Sequence, residues 1–243
     1  MDYGLYTAFL GMRARQRTLD AQANNIANAT TTGYKADRLV YSAIEAAKKG
    51  AGSPQNLVAG VETSGASDFT AGSIHETGRS LDVAIDGDAF LQVQTERGTR
   101  YTRAGNLTLN SDGQLVTHNG DLVVGEGGAI TIPQKGTLSI GQDGTISADG
   151  KTVDKLKLVR FDNPVTALTK EGDAMFSANG KAQPIDDTNS KVQQGALEAS
   201  NVNPISEMVA MINNNREFDS LQKSVSLLMN DLGKKISSEI GKL

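Results

Sequence analysis

The sequence predicts an α+β fold: a discontinuous α-helical coiled-coil domain made by both chain termini, and an all-β middle domain rich in antiparallel hairpins. Three observations carry this. Apolar residues near the N-terminus recur at helical spacing, the C-terminal forty residues do the same, and the residues between them alternate in short runs punctuated by Asp-Gly and Asn-Gly pairs. The predicted boundaries are 1–33 with 200–243 for the helical domain, 34–75 for an extended connector and 76–199 for the β domain.

In the N-terminal segment Leu5, Phe9, Met12, Leu19, Ala23 and Ile26 step by 4, 3, 7, 4 and 3 residues, and Gln16 fills the skipped position. That is the 3.5-residue repeat of a coiled-coil seam. Arg13, Arg15, Arg17, Asp20 and Asn24 occupy the other face, so the stripe is narrow. The segment stops in "ANNIANATTTGYK", residues 23 to 35, where Thr30, Thr31, Thr32 and Gly33 break the pattern. The connector carries "AAKKGAGSPQNLVAG", whose small residues and weak periodicity predict extended or flexible chain.

The middle contains runs such as "LDVAIDGDAFLQV" and "TLSIGQDGTISADGK", with Asp-Gly at 86, 112, 143 and 149 and Asn-Gly at 119 and 179. Such pairs suit the tight turns between antiparallel strands, because Gly tolerates positive φ and Asn or Asp tolerates the left-handed region. At the far end Met208, Met211, Phe218, Leu221, Val225, Leu228 and Leu232 step by 3, 7, 3, 4, 3 and 4, with Asn214 in the skipped place. Asn203 and Pro204 mark the helix start as cap and first-turn residue.

Composition narrows the function. Of 243 residues 38% are apolar, below the usual ~45–50%, and Trp is absent. A core large enough for every residue is not expected. The 24 basic against 28 acidic residues give a formal net charge of −4, which offers no attraction for nucleic acid or anionic membranes. There is no Cys, hence no disulfide frame and no thiolate metal site. The start lacks a basic segment followed by an unbroken apolar run, so no cleavable secretory signal is expected. Without a window of ~18 apolar residues, membrane insertion is not expected either.

The residues do not assemble into a predicted catalyst, and no cofactor, metal or small-molecule substrate is expected. His75 and His118 are the only histidines, and neither has a second at the i+3 or i+4 spacing of a metal pair. Asp143 to Asp154 resembles a twelve-residue calcium loop but has Ala148 where the sharp turn needs Gly and Asp154 where a bidentate Glu belongs; two consecutive hairpin turns fit better. "GEGGAI" lacks phosphate-cradle spacing and a following helix. The pairs Asp86 with Asp88 and Asp186 with Asp187 offer carboxylates for a cell-wall glycan hydrolase, but turn chemistry accounts for all four. A β domain acting as an adhesin leaves the helices without a role.

A two-helix hairpin with one thin apolar stripe is marginal on its own. Both ends are therefore expected to be disordered in the monomer and to fold when several copies pack side by side. Asn24, Asn25 and Asn28, like Asn213, Asn214 and Asn215, would then hydrogen-bond between helices and fix register.

"ANNIANATTTGYK" resembles the N-terminal motif of the bacterial flagellar axial proteins, the rod and hook family. "LDVAIDGDAFLQV", "YTRAGNLTLNSDGQLVT" and "GALEASNVNPISEMVAMI" agree with further family blocks in the same order. The details "MDYGLYTAF", "GEGGAITIP" and "LEASNVNP" are most similar to the F-type, proximal-rod branch, with the distal-rod branch second. Tyr34, where Phe is commoner, and Asp88-Ala89, where Gly is frequent, are the departures.

The resemblance implies a structural subunit of the basal-body rod, in the periplasm, that polymerises with itself and with proximal and distal rod proteins into a hollow shaft transmitting torque. It implies passage through the flagellar export apparatus. It further implies an N-terminal assembly motif at Asn24, Asn25, Ile26, Ala27, Asn28, Thr32, Gly33, Tyr34 and Lys35. A second motif falls at Ser200, Asn201, Val202 and Asn203, with the seam residues above lining the tube and residues 30–35 turning the chain outward.

Overall fold

Capping, alternation and turn chemistry build the elements in the computed structural model, which describes residues 2–45, 58–133, 137–180 and 182–240. Helix α1 spans Asp2–Ala27, and strands β1 (Asp37–Glu45) and β2 (Val58–Ser67) follow as a two-stranded ribbon. Next come β3 (Ile74–Glu76), β4 (Val83–Asp86) and the hairpin of β5 (Phe90–Thr95) with β6 (Gly98–Thr102). A meander follows: β7 (Thr108–Leu109), β8 (Leu115–Val116), β9 (Leu122–Gly125) and β10 (Gly128–Ala129). Strands β11 (Leu138–Ile140), β12 (Thr145–Ala148) and β13 (Lys151–Lys155) form a separate antiparallel sheet. The rest is β14 (Leu158–Arg160), the one-turn α2 (Pro164–Ala167), β15 (Leu168–Gly172), β16 (Met175–Ala178), β17 (Ile185–Asp186), β18 (Lys191–Gln194), β19 (Ala196–Glu198) and helix α3 (Pro204–Ile240).

The chain divides into two units. One comprises Met1–Ile26, Asp37–Gly65 and Asn203–Leu243; the other comprises Ala27–Ala36 and Ala66–Val202. The sequence reading ended the helical segment at residue 33 and began the β domain at 76. In the structure residues 27–36 pack into the β unit, because their hydrogen-bond partners are in it, and the predicted connector supplies β1 and β2. Residues 46–57 of that connector lie outside the described residues.

In the helical unit partly buried positions of α1 include Ala8, Met12, Arg15, Leu19, Gln22 and Ile26, and those of α3 include Glu207, Met211, Asn214, Phe218, Leu221 and Val225. Both sets step by 4, 3, 4, 3 and 4. Arg15 pairs with Glu217 at 2.6 Å and donates to Asn214 Oδ1 at 3.0 Å, while Asn214 Nδ2 donates to Gln22 Oε1 at 2.9 Å. The later α1 residue meets the earlier α3 residue, so the helices run antiparallel. Relative to the predicted seam, α1 is turned by one residue at alternate positions, so that Phe9, Gln16 and Ala23 face out, and in α3 Met208 is exposed with Glu207 in its place. The long polar arms of Arg15 and Gln22 reach α3 where Phe9, Gln16 and Ala23 do not. Leu5, Leu228 and Leu232 of the predicted seam lie outside the described side chains.

The β unit has two cores. Small aliphatic residues including Val83, Ile85, Leu91, Val93, Val123, Ile146 and Val192 make the larger one. Phe90, Tyr101, Phe161 and Phe176 make the smaller, with Phe69 packed against it, in edge-on and tilted ring contacts at centroid separations of 5.0–6.3 Å. The largest sheet has the order β15-β16-β6-β5-β9-β8-β7. Asp112-Gly113, Asn119-Gly120, Asp143-Gly144 and Asp149-Gly150 each turn between paired antiparallel neighbours. The stretch Asp143 to Asp154 thus holds the two predicted hairpin turns, one on either side of β12. Asp86-Gly87 and Asn179-Gly180 are different: β4 pairs with β18, and β17 with β14, so neither joins adjacent strands. The Asn179 amide instead donates to Thr166 O and accepts from Thr169 Oγ1, both at 2.7 Å.

Candidate assembly site

The polar end of the first helical segment folds by local side-chain to backbone bonds. Asn25, only 2% exposed, donates to Asp37 O at 3.0 Å and accepts from Asp37 N at 2.7 Å, acting as an extra peptide at the start of β1. Asn24 Nδ2 donates to the Asp37 carboxylate at 2.9 Å. Within the β unit, Thr31 N donates to Asn28 O, Thr31 Oγ1 to Asn28 Oδ1, and Tyr34 N to Thr31 O, so the turn closes on itself. These are bonds within one chain, whereas the sequence reading assigned the asparagines to contacts between copies.

Gly33 sits at φ +65°, and its N–H donates to Glu198 O at 2.8 Å. A Cβ there would collide with the backbone of Arg103 and Ala104. Gly is needed twice over, for the left-handed conformation and for the close approach. Tyr34 and Lys35 follow, both buried. The Lys170 ammonium lies 3.5 Å from the Tyr34 ring centroid and donates to Lys35 O at 2.7 Å.

Lys35 is the centre of the arrangement. Its Nζ, fully buried, donates to Glu198 Oε1 at 2.6 Å and to Thr70 O at 2.8 Å. Glu198, 1% exposed, also accepts from Gly72 N at 2.9 Å and from Arg103 Nη1 at 3.3 Å. Arg103 donates on to Gly87 O at 2.6 Å and lies 5.0 Å from the Phe90 ring centroid. Burial pushes the Lys35 ammonium below its ordinary range, with the attraction of Glu198 opposing; Arg103 is lowered in the same way. Two cations share one buried carboxylate.

Asn201 adds the second half. Its Oδ1 accepts from Ala36 N at 2.8 Å and its Nδ2 donates to Asp68 O at 2.8 Å. Ser200 Oγ accepts from Val202 N, and Val202 is buried. Asn203 Oδ1 accepts from Ile205 N and Ser206 N at 3.1 and 3.2 Å, as expected of the α3 cap. Of the N-terminal motif, Gly33, Tyr34 and Lys35 therefore meet Asn201 in one cluster, while Asn24 and Asn25 engage β1. Ile26 is partly buried and Ala27 exposed. Thr32 lines a polar groove of about 260 Å³ with Asn28, Thr31, Asn106 and His118.

Arg103, Glu198 and Lys170 were missed by sequence reasoning. The available signal was a lone charge inside each of the small-residue blocks "YTRAG" and "GALEAS", opposite in sign. Of the carboxylates singled out for acid-base work, Asp86 and Asp186 are the last residues of β4 and β17, Asp88 lies in the bend after β4, and Asp187 accepts from the bend that follows it. Burial would raise Asp187, but the N–H groups of Ser190 and Asn189, each 3.1 Å away, hold it below its ordinary range. Among the described residues, no cluster of three or more His, Asp or Glu could hold a metal, and no helix is long and apolar enough to cross a membrane.

Three family models match this chain. Residues 5–35 match "Flagella basal body rod protein", 84–148 match "Flagellar hook protein FlgE/F/G D1 domain", and 193–227 match "Flagellar basal body rod FlgEFG protein C-terminal". Among curated relatives, the flagellar basal-body rod protein FlgF of Caulobacter vibrioides is 37% identical, with 92% of each chain covered. FlgG of Bacillus subtilis is 36% identical over 91% of this chain and 93% of its own. FlgF of Escherichia coli is 35% identical over 96% and 97%.

Proposed function

Because the chain belongs to the flagellar basal-body rod protein family, as a structural rod subunit, we propose that its two terminal segments form a coiled-coil inner domain that is completed by neighbouring rod subunits. One observation carries this. Among the described side chains of α1 and α3 only Asn25 is buried, while Ile205, Met208, Val209 and Ile212 stand 74, 49, 55 and 55% exposed. These four share one side of α3, about 150° around the helix from the stripe facing α1 at ~100° per residue. A helix with apolar residues on two opposite faces needs a second neighbour, and polymerisation supplies it.

The F-type relatives support a proximal-rod position within the periplasm, reached through the export apparatus. The G-type relatives, at nearly equal identity, support the distal rod as the second reading. The subunit's task is mechanical in either case. Replacing Val209 and Ile212 with Glu tests the reading: incorporation into isolated basal bodies and motility should be lost, with urea unfolding of the β unit unchanged. Normal incorporation of the double variant would overturn it.

A further inference from the structure

We propose that the β unit closes last from its C-terminal end, with residues 191–202 acting as a closing strap. Strands β3 and β4 have no ladder partner outside this strap among the described residues: β4 pairs with β18 across all four positions from Val83 to Asp86, and β3 pairs with β19. The strap's side chains tie down the rest. Gln194 donates to Ser80 O and Leu138 O and accepts from Ile140 N. Val192, 2% exposed, completes the aliphatic core. Glu198 takes the charges of Lys35 and Arg103, and Asn201 pins Ala36.

Each of these contacts spans more than fifty residues, from Gln194 with Ile140 at 54 to Asn201 with Ala36 at 165. By contrast β5 with β6, β8 with β9, and β11 through β13 are pairs of neighbours closed by short turns. Long loops are the costly ones to close, and the strap closes the longest. Until it docks, β3 and β4 lack ladder strands, although Val83 N keeps its bond to Gly105 O, Glu198 is not in place for the two cations, and residues 33–36 are not joined to 198–202. Docking therefore completes the unit and brings both of the chain's exits together in one event.

Folding kinetics of the full chain test this. Val192→Ala and the milder Gln194→Ala should raise the unfolding rate about tenfold and leave the folding rate within about twofold of the parent, whereas Val93→Ala in β5 should slow folding. Pulse-labelled hydrogen exchange should show the amides of 83–86 and 191–198 gaining protection together, after those of β5 and β6. The proposal is overturned if the strap variants slow folding as much as Val93→Ala does, or if strap amides are protected with or before β5 and β6.

Discussion

At the level of single residues, the Lys35–Glu198–Arg103 cluster makes unequal predictions for its members. Glu198→Gln leaves two buried cations without a counter-ion, which costs about 3–5 kcal/mol. Lys35→Met is milder, about 1–2 kcal/mol, because Glu198 keeps Arg103 and Gly72 N, and Thr70 O keeps a donor in Asn201. The substitution also removes the cost of burying an ammonium. Urea unfolding of the β unit should rank the two in that order. Proton linkage gives a second readout. Between its lowered native value and the ordinary ~10.4, an unfolded Lys35 holds more protons than a folded one, so its contribution to stability rises with pH across that window. Tyr101, raised by burial, works the other way above about pH 10. The difference between parent and Lys35→Met, which cancels Tyr101, should therefore shift in favour of the parent as the solution becomes alkaline.

The same residues show why some of the site was legible and some was not. Lys35 and Asn201 stand inside motifs recognisable in the sequence, so their importance was visible. That Lys35 is an internal cation was not: a basic residue after a turn reads as exposed, and its carboxylate lies 163 positions away. Linear spacing carries no information about such a partner. A turn at residues 30–35 is implied by the motif, and the Gly33 φ of +65° fits one, but the closeness of the Arg103 backbone depends on tertiary packing.

Among secondary elements, legibility follows the range of the interaction that makes them. The turns at Asp112, Asn119, Asp143 and Asp149 and the start of α3 depend on local chemistry and were predicted. Strands β3 and β4 depend on a segment more than a hundred residues later, which no local pattern announces. The predicted seam of α1 failed at Phe9 because periodicity counts apolar residues, whereas the structure turns Arg15 and Gln22 toward α3 for their hydrogen bonds. Asn25 shows how a polar residue shapes an element. Asn25→Ala would leave both Asp37 backbone groups without these partners and cost about 1–3 kcal/mol. Faster exchange of the Asp37 amide in assembled rods, with the amides of β5 and β6 unchanged, is the expected outcome.

For the whole molecule, the two units differ in what holds them. The β unit buries two cores and a charged cluster, and its strands pair with one another. The helical unit buries one described helix side chain, Asn25, and leaves Phe9 57%, Leu227 70% and Met229 56% exposed. Helix formation fixes about 1–2 kcal/mol of backbone entropy per residue, and half-buried stripes return little against it, so the paired helices are marginal until a neighbour covers their outer faces. Protection should divide accordingly. In dilute monomer the amides of residues 2–27 and 204–240 should exchange close to the solvent-limited rate. Those of 83–86, 90–102 and 191–198 should stay protected, and so should Gly33, which bonds to Glu198 O. On incorporation into rods the helical amides should become protected with little change in the β unit. Strong protection of both helices in a chain shown by sedimentation to be monomeric would mean that the half-covered stripes suffice, and that the exposed faces do not call for a neighbouring subunit.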